Sequence, residues 1–141
     1  MRTKRPKRVV ALAPVAALLA VGLGACGSAV STSNYKGESK AVVQRISDFQ
    51  TDVTGGEEQK LCSRDLASSV QTRLRTAGAN CVQALKKQLG AIQNFELTVK
   101  SIAVHGPRAT ARVSSTWSGK QHTSTMRFVK EGGAWKIAAL Q

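Results

Sequence analysis

General acid and base chemistry needs a histidine or a carboxylate held by a partner within hydrogen-bond reach, and this chain of 141 residues offers few such groups. His122 alternates in step with Met126 and Phe128, which gives it their inward parity, opposite Ser115. To act as a base it would need an orienting carboxylate, and none is placed for that role, so a partly exposed histidine at the rim is expected. Asp48 and Asp52 lie one helical turn apart. They fall at or beyond the edge of the apolar stripe Val42, Ile46, Phe49 and Val53, so a solvated face is expected for both. His105 precedes Gly106-Pro107 and reads as a turn residue. Arg108, Arg112 and Arg127 have the polar parity of their strands, where three guanidinium groups form a candidate anion-binding surface. The sequence contains no Gly-rich phosphate loop, no His-Glu-x-x-His and no Gly-x-Ser-x-Gly. No catalytic residue, cofactor or metal ligand is therefore expected.

The three cysteines carry the remaining reactive chemistry. A basic run from Arg2 to Arg8 is followed by an apolar stretch from Val9 to Leu23 and the small residues Gly24 and Ala25, the layout of a signal peptide. The stretch is shorter than the roughly 20 apolar residues of a permanent membrane span, and it carries Pro14. Leu23-Gly24-Ala25-Cys26 resembles the lipobox of bacterial lipoproteins. That resemblance implies removal of residues 1–25, a diacylglycerol on Cys26, and residence on the outer face of the cytoplasmic membrane, or on an outer membrane where one exists. The leader has no consecutive arginine pair, which points to the general secretion route. Two or three acyl chains, at about 0.8 kcal/mol per buried methylene, make such an anchor stable where one chain is marginal. With Cys26 assigned to lipid, Cys62 and Cys81 remain, and outside the cytoplasm a disulfide is the expectation for such a pair. It would close a loop of about 19 residues and contribute roughly 3 kcal/mol on the chain-entropy view. The Cys-x-x-Cys spacing of redox pairs is absent, and zinc would lack two further ligands.

Removal of the leader leaves 116 residues, enough for one hydrophobic core. Arg2, Lys4, Arg5, Lys7 and Arg8 leave with it, so the formal charge of +13 falls to +8, from 16 basic and 8 acidic residues. Such a domain is drawn to anionic lipid or acidic wall polymer with an attraction that salt weakens, and the same charge keeps it soluble near a membrane. Nucleic acid is not an expected partner outside the cytoplasm.

The elements that must position these residues follow from periodicity. Residues 26–34 are small and polar and read as a flexible tether, with a domain over 35–141. Val42, Ile46, Phe49 and Val53 recur at four, three and four residues and predict a helix that Gly55-Gly56 stops. Ser63 is a candidate cap for a second helix carrying Leu66, Val70 and Leu74. Gly78 and Asn80 separate it from a third holding Val82, Leu85 and Leu89. Cys62 and Cys81 precede these two helices, so their bridge would clamp the pair at one end.

From Ala109 the period becomes two: Ala109, Ala111, Val113, Ser115 and Trp117 on one face, Arg108, Thr110, Arg112, Ser114 and Thr116 on the other. A turn at Ser118-Gly119 pairs Ala111 with Met126, Ala109 with Phe128 and Thr110 with Arg127. A turn at Gly132-Gly133 pairs Phe128 with Ile137, Met126 with Ala139 and Lys130 with Trp135. A turn at Gly106-Pro107 brings Ile102 and Val104 to the same apolar face. Phe95, Leu97 and Val99 have the opposite parity, which a bulge near Lys100 or Ser101 reconciles. The expected fold class is α+β, with three N-terminal helices packed on a curved four-stranded antiparallel sheet.

That order, with the run from Ile102 through Gly106-Pro107 to Ala111 and the run from Phe128 through Gly132-Gly133 to Ile137, resembles the nuclear transport factor 2-like (cystatin-like) superfamily. The resemblance covers about residues 35–141 and implies a cone-like architecture; it does not imply a chemistry. Three functions compete. The leading one is a lipid-anchored, non-catalytic interaction module that meets an envelope protein or an anionic polymer. The second is a carrier or sensor of a small apolar ligand lined by Phe49, Val113, Trp117, His122, Met126 and Phe128. The third is an isomerase or dehydratase working from His122. An interior filled with side chains favours the first.

Overall fold

A computed structural model describes residues 30–92 and 94–141. The leader, the lipobox and Cys26 lie outside the described residues. Among those described, no helix is long and apolar enough to cross a membrane.

The first helix, α1 (Gly37–Gly55), buries Val42, Val43, Ile46 and Val53 and ends at Gly56, whose φ of 66° is the left-handed conformation that glycine adopts without strain. Its first turn is fastened to the sheet: the Glu38 carboxylate accepts from Lys130 Nζ at 2.6 Å and from Trp135 Nε1 at 2.7 Å. Farther along, the buried Gln50 amide oxygen accepts from the Leu97 backbone N–H at 2.7 Å. Polar links at both ends thus set how the apolar stripe meets the sheet.

The stretch expected to hold the second helix is built differently. A short helical turn, α2 (Glu58–Lys60), runs into a π-helical turn over Leu61–Asp65, and α3 spans Ser68–Thr76. Ser63 is not a cap. It sits within the π-turn, and its hydroxyl donates back to the Gln59 carbonyl at 2.8 Å. Between the two helical stretches Leu66 is extended and bridges in parallel to Ile137, and the Ala67 N–H donates to the Ile137 carbonyl at 2.8 Å. Burying Leu66 and Ala67 against the last strand outweighs the continuity of a helix. The cap of α3 comes from far away in sequence: the Glu131 carboxylate accepts from the Ser68 N–H and hydroxyl, which suits the positive end of a helix.

The last helix, α4 (Cys81–Leu89), starts as expected after Asn80, whose side-chain oxygen accepts from Val82 and Gln83 N–H groups. Cys62 in the π-turn and Cys81 at the start of α4 are joined by a disulfide with a Cα–Cα distance of 6.1 Å. The bridge therefore ties the π-turn to α4, with α3 inside its loop.

Four strands follow as an antiparallel meander: β1 (Glu96–His105), β2 (Arg108–Trp117), β3 (Lys120–Glu131) and β4 (Ala134–Leu140). Ala111 faces Met126, Ala109 faces Phe128, Thr110 faces Arg127 and Ser115 faces His122, as the alternation predicts. The β1–β2 register slips between Val99 and Ser101, leaving Lys100 as the bulged residue that brings Leu97 and Ile102 to one side. In β3–β4 the expected pairs Phe128 with Ile137 and Lys130 with Trp135 occur, but Met126 faces Leu140 and not Ala139. The extra residue is Ala138, and its carbonyl accepts from Arg73 Nη2 at 2.9 Å, so α3 takes up a group that the bulge leaves exposed. One contiguous core joins Val42, Val43, Ile46, Leu66, Leu97, Ala109, Ala111, Val113, Met126, Phe128, Trp135 and Ile137. Val30 belongs to it too at 8% exposure, so the packed domain begins inside the stretch read as a tether.

Candidate functional site

The core residues of β2 and β3 consume one parity, and the other parity sends Arg108, Thr110, Arg112, Thr125 and Arg127 to the outer face of the sheet. All three arginines are exposed, and the register sets Thr110 opposite Arg127 and Arg112 opposite Thr125. Neighbouring strands lie about 4.8 Å apart, so the guanidinium groups share one small patch, separated by threonine hydroxyls. None of the three forms an ion pair with a described residue. By contrast Arg45, Arg64 and Lys130 are all held by carboxylates. The outer patch thus keeps its charge and donors available to an anion.

The inner face carries packing. Val113 and Met126 are fully buried, Phe128 is 2% exposed, and Phe49 packs edge-on against Phe95 with ring centroids 6.1 Å apart. The residues expected to line a ligand space are here ordinary members of the core. Trp117 departs from expectation: its parity is inward, but it is 39% exposed and stacks on the exposed His122 ring at 4.8 Å. Both stand where the β2–β3 hairpin runs past the end of β4, which pairs with β3 only as far as its contacts at Thr125 and Met126. The His122 ring thus has a flat aromatic neighbour, and among the described residues no carboxylate forms an ion pair or hydrogen bond with it.

A charged cluster that the sequence did not disclose lies between α1 and the π-turn. Asp65 is completely buried; its Oδ1 accepts from Arg45 Nη1 at 2.5 Å and from Arg64 Nε at 3.1 Å. Asp52, expected on a solvated face, is 4% exposed and paired with Arg64. Asp48 stays partly exposed, with Arg45 Nη1 at 3.5 Å and the Gln44 amide donating to it at 3.0 Å. Burial pushes the Asp65 carboxyl above its ordinary value of 3.8, the neighbouring Asp52 adds to the rise, and Arg64 and Arg45 oppose it. Arg45 also donates to the Trp135 carbonyl at 2.9 Å, which joins the cluster to β4. The arrangement fixes the π-turn against α1. Among the described residues no three His, Cys, Asp or Glu side chains are grouped to hold a metal ion.

A cleft of about 290 Å³ lies along the other edge of the sheet, lined by Val30, Ser31, Asn34 and Tyr35 on one side and residues 96–99 on the other. It is where the N-terminal segment meets the first residues of β1. Sequence reasoning missed it because Val30 lay in a stretch too polar to be read as packed.

Among solved structures, the fold is similar to that of an NTF-2 like protein of unknown function from Silicibacter pomeroyi. The TM-score is 0.54 at 16% identity, over 79% of this chain and 96% of that one. It is similar also to a SEC-C motif containing protein from Rhodopseudomonas palustris, with a TM-score of 0.56 at 14% identity, over 69% of this chain and 74% of that one. At these identities the likeness is one of fold. Comparison with curated proteins gives no match. Residues 68–140, from α3 through β4 and just over half of the chain, match a family model, and the chain accordingly belongs to the family described as "Putative lumazine-binding".

Proposed function

We propose that this chain is a lipid-anchored, non-catalytic envelope protein that uses the outer face of its sheet to bind an anionic partner, an acidic wall polymer or an acidic surface of another envelope protein. The observation that carries the reading is the pairing of a filled inner face with an outer face whose arginines are unpaired. Anchoring rests on the leader and on Leu23-Gly24-Ala25-Cys26, and the disulfide suits a protein folded outside the cytoplasm. Attachment to wall material tests the reading, using protein carrying Arg108→Gln, Arg112→Gln and Arg127→Gln together. Binding should weaken and lose most of its salt dependence while the melting temperature stays close to that of the wild type. Undiminished binding by the triple variant would overturn the assignment of that face.

A second reading, a small-molecule carrier, draws on the family description and on the cleft beside β1. The cleft is bordered by Tyr35 and by the backbone of an edge strand, groups that suit a flat ligand with hydrogen-bonding edges. Binding that survives the three arginine changes but is displaced by a heteroaromatic compound would favour this reading over the first.

A further inference from the structure

Trp117 and His122 form a stacked pair at the tip of the β2–β3 hairpin, and neither side chain makes a hydrogen bond with a described residue. The contrast with Trp135 is direct, since Trp135 is 3% exposed and donates its indole N–H to Glu38. A large indole left 39% exposed with its donor free is the amphipathic shape that settles at a membrane interface, with the ring among acyl carbons and the N–H among headgroups. Lys120 stands exposed at the same tip, opposite Trp117 in the register, and the turn between them is Ser118-Gly119. Glu96, across from Thr116, is the carboxylate on the neighbouring strand.

The place of this tip relative to the chain's start completes the argument. Val30 and Ser31 line the cleft with residues 96–99, and Glu96 and Leu97 pair with Thr116 and Ser115, next to Trp117. The chain therefore enters the domain at the end of the sheet that carries the aromatic tip. Val30 follows Cys26 by four positions, with three residues between them, a span of at most about 14 Å even when fully extended. A lipid on Cys26 would hold this end of the domain, and not the opposite one, against the bilayer.

We propose that the Trp117–His122 tip, with Lys120, docks into the headgroup region of the membrane that carries the Cys26 lipid and so fixes the domain's orientation. The proposal rests on the lipid-anchor reading. The test uses the processed full-length protein, purified from membranes and reconstituted into vesicles of phosphatidylcholine and phosphatidylglycerol with and without brominated acyl chains. Fatty-acid labelling of the same preparation reports the anchor, and tryptophan emission reports the tip. Label on the protein, strong quenching of wild-type emission by bromolipid, and loss of that quenching in Trp117→Phe, which retains the buried Trp135 as its fluorophore, are the expected results. Labelled, membrane-bound protein quenched no more than Trp117→Phe would overturn the docking while leaving the anchor intact. Absence of label would overturn both. A blue shift of Trp117 emission that grows with protein concentration in the absence of lipid would make a second copy of the chain the occupant, and the proposal would fall.

Discussion

Asp65 shows how a single side chain can govern the acid behaviour of the domain. Its carboxyl is buried and raised above 3.8, so the folded state holds a proton that the unfolded state releases. The contribution of that proton to stability is full below about pH 3.8 and is lost as the pH climbs through the raised value in the folded protein. Asparagine keeps the neutral shape. Asp65→Asn should therefore sit closest to the wild type in acid and gain on it as pH rises above 3.8, visible as a difference in melting temperature that widens with pH. A difference independent of pH would mean that Asp65 does not titrate anomalously. Arg45→Met, which strips a buried carboxylate of a partner, should cost about 3 to 5 kcal/mol at neutral pH by denaturant unfolding. The cluster was not read beforehand, since Asp48 and Asp52 were expected on a solvated face, although one local signal was present. Arg45, Asp48 and Asp52 recur at three and four residues with opposite charges, a pattern that suggests ion pairing along one helix face. That Asp52 is buried depends on Arg64 and Asp65 arriving from the π-turn, and no local spacing announces such a turn.

Strands were more readable than helices in this chain, for a physical reason. Alternation in β2 fixes which residues are buried and which turn joins the strands, and a slip of one residue would expose Ala109, Ala111, Val113, Met126 and Phe128 together. The bulge at Lys100 was visible as a change of parity. The bulge at Ala138 was not, because the adjacent alanines Ala138 and Ala139 leave parity undefined and because the Arg73 side chain that satisfies it belongs to a distant helix. The second helix starts later than expected: Leu66, Val70 and Leu74 fit helical spacing, but α3 carries only Val70 and Leu74, because Leu66 is recruited by β4. Two predictions belong to this scale. Phe128→Ala, which empties a site between β2, β4 and α1, should cost about 3 to 5 kcal/mol of unfolding free energy. Cys62→Ala with Cys81→Ala should cost about 2 to 4 kcal/mol, and hydrogen exchange should then quicken first in α4 and the π-turn, with the amides of β2 and β3 the last to change. Uniform loosening of all elements would contradict the view that the bridge clamps one end.

At the scale of the whole molecule, the proposed function would combine two kinds of attachment with different physics in one small domain. The acyl chains proposed on Cys26 would hold by burial of methylenes, which salt does not screen, whereas the arginine face would hold by charge, which salt screens within a Debye length of about 10 Å at 0.1 M. The two are separable by experiment. Cells expressing the full chain should carry it in the membrane fraction at both low and high salt. Cys26→Ser should leave protein held by its uncleaved leader or soluble protein, and any leader-free part retained at the envelope through Arg108, Arg112 and Arg127 should be released as salt rises. Adding the three arginine changes to Cys26→Ser should remove the salt-sensitive part of that remainder, since the inner face is occupied by the core, whereas any hold by the Trp117–His122 tip would survive them. Retention of Cys26→Ser at high salt, with fatty-acid label undiminished, would place the anchor elsewhere. Salt-sensitive retention of the unaltered chain would reverse the order of importance and make the basic sheet face the principal attachment.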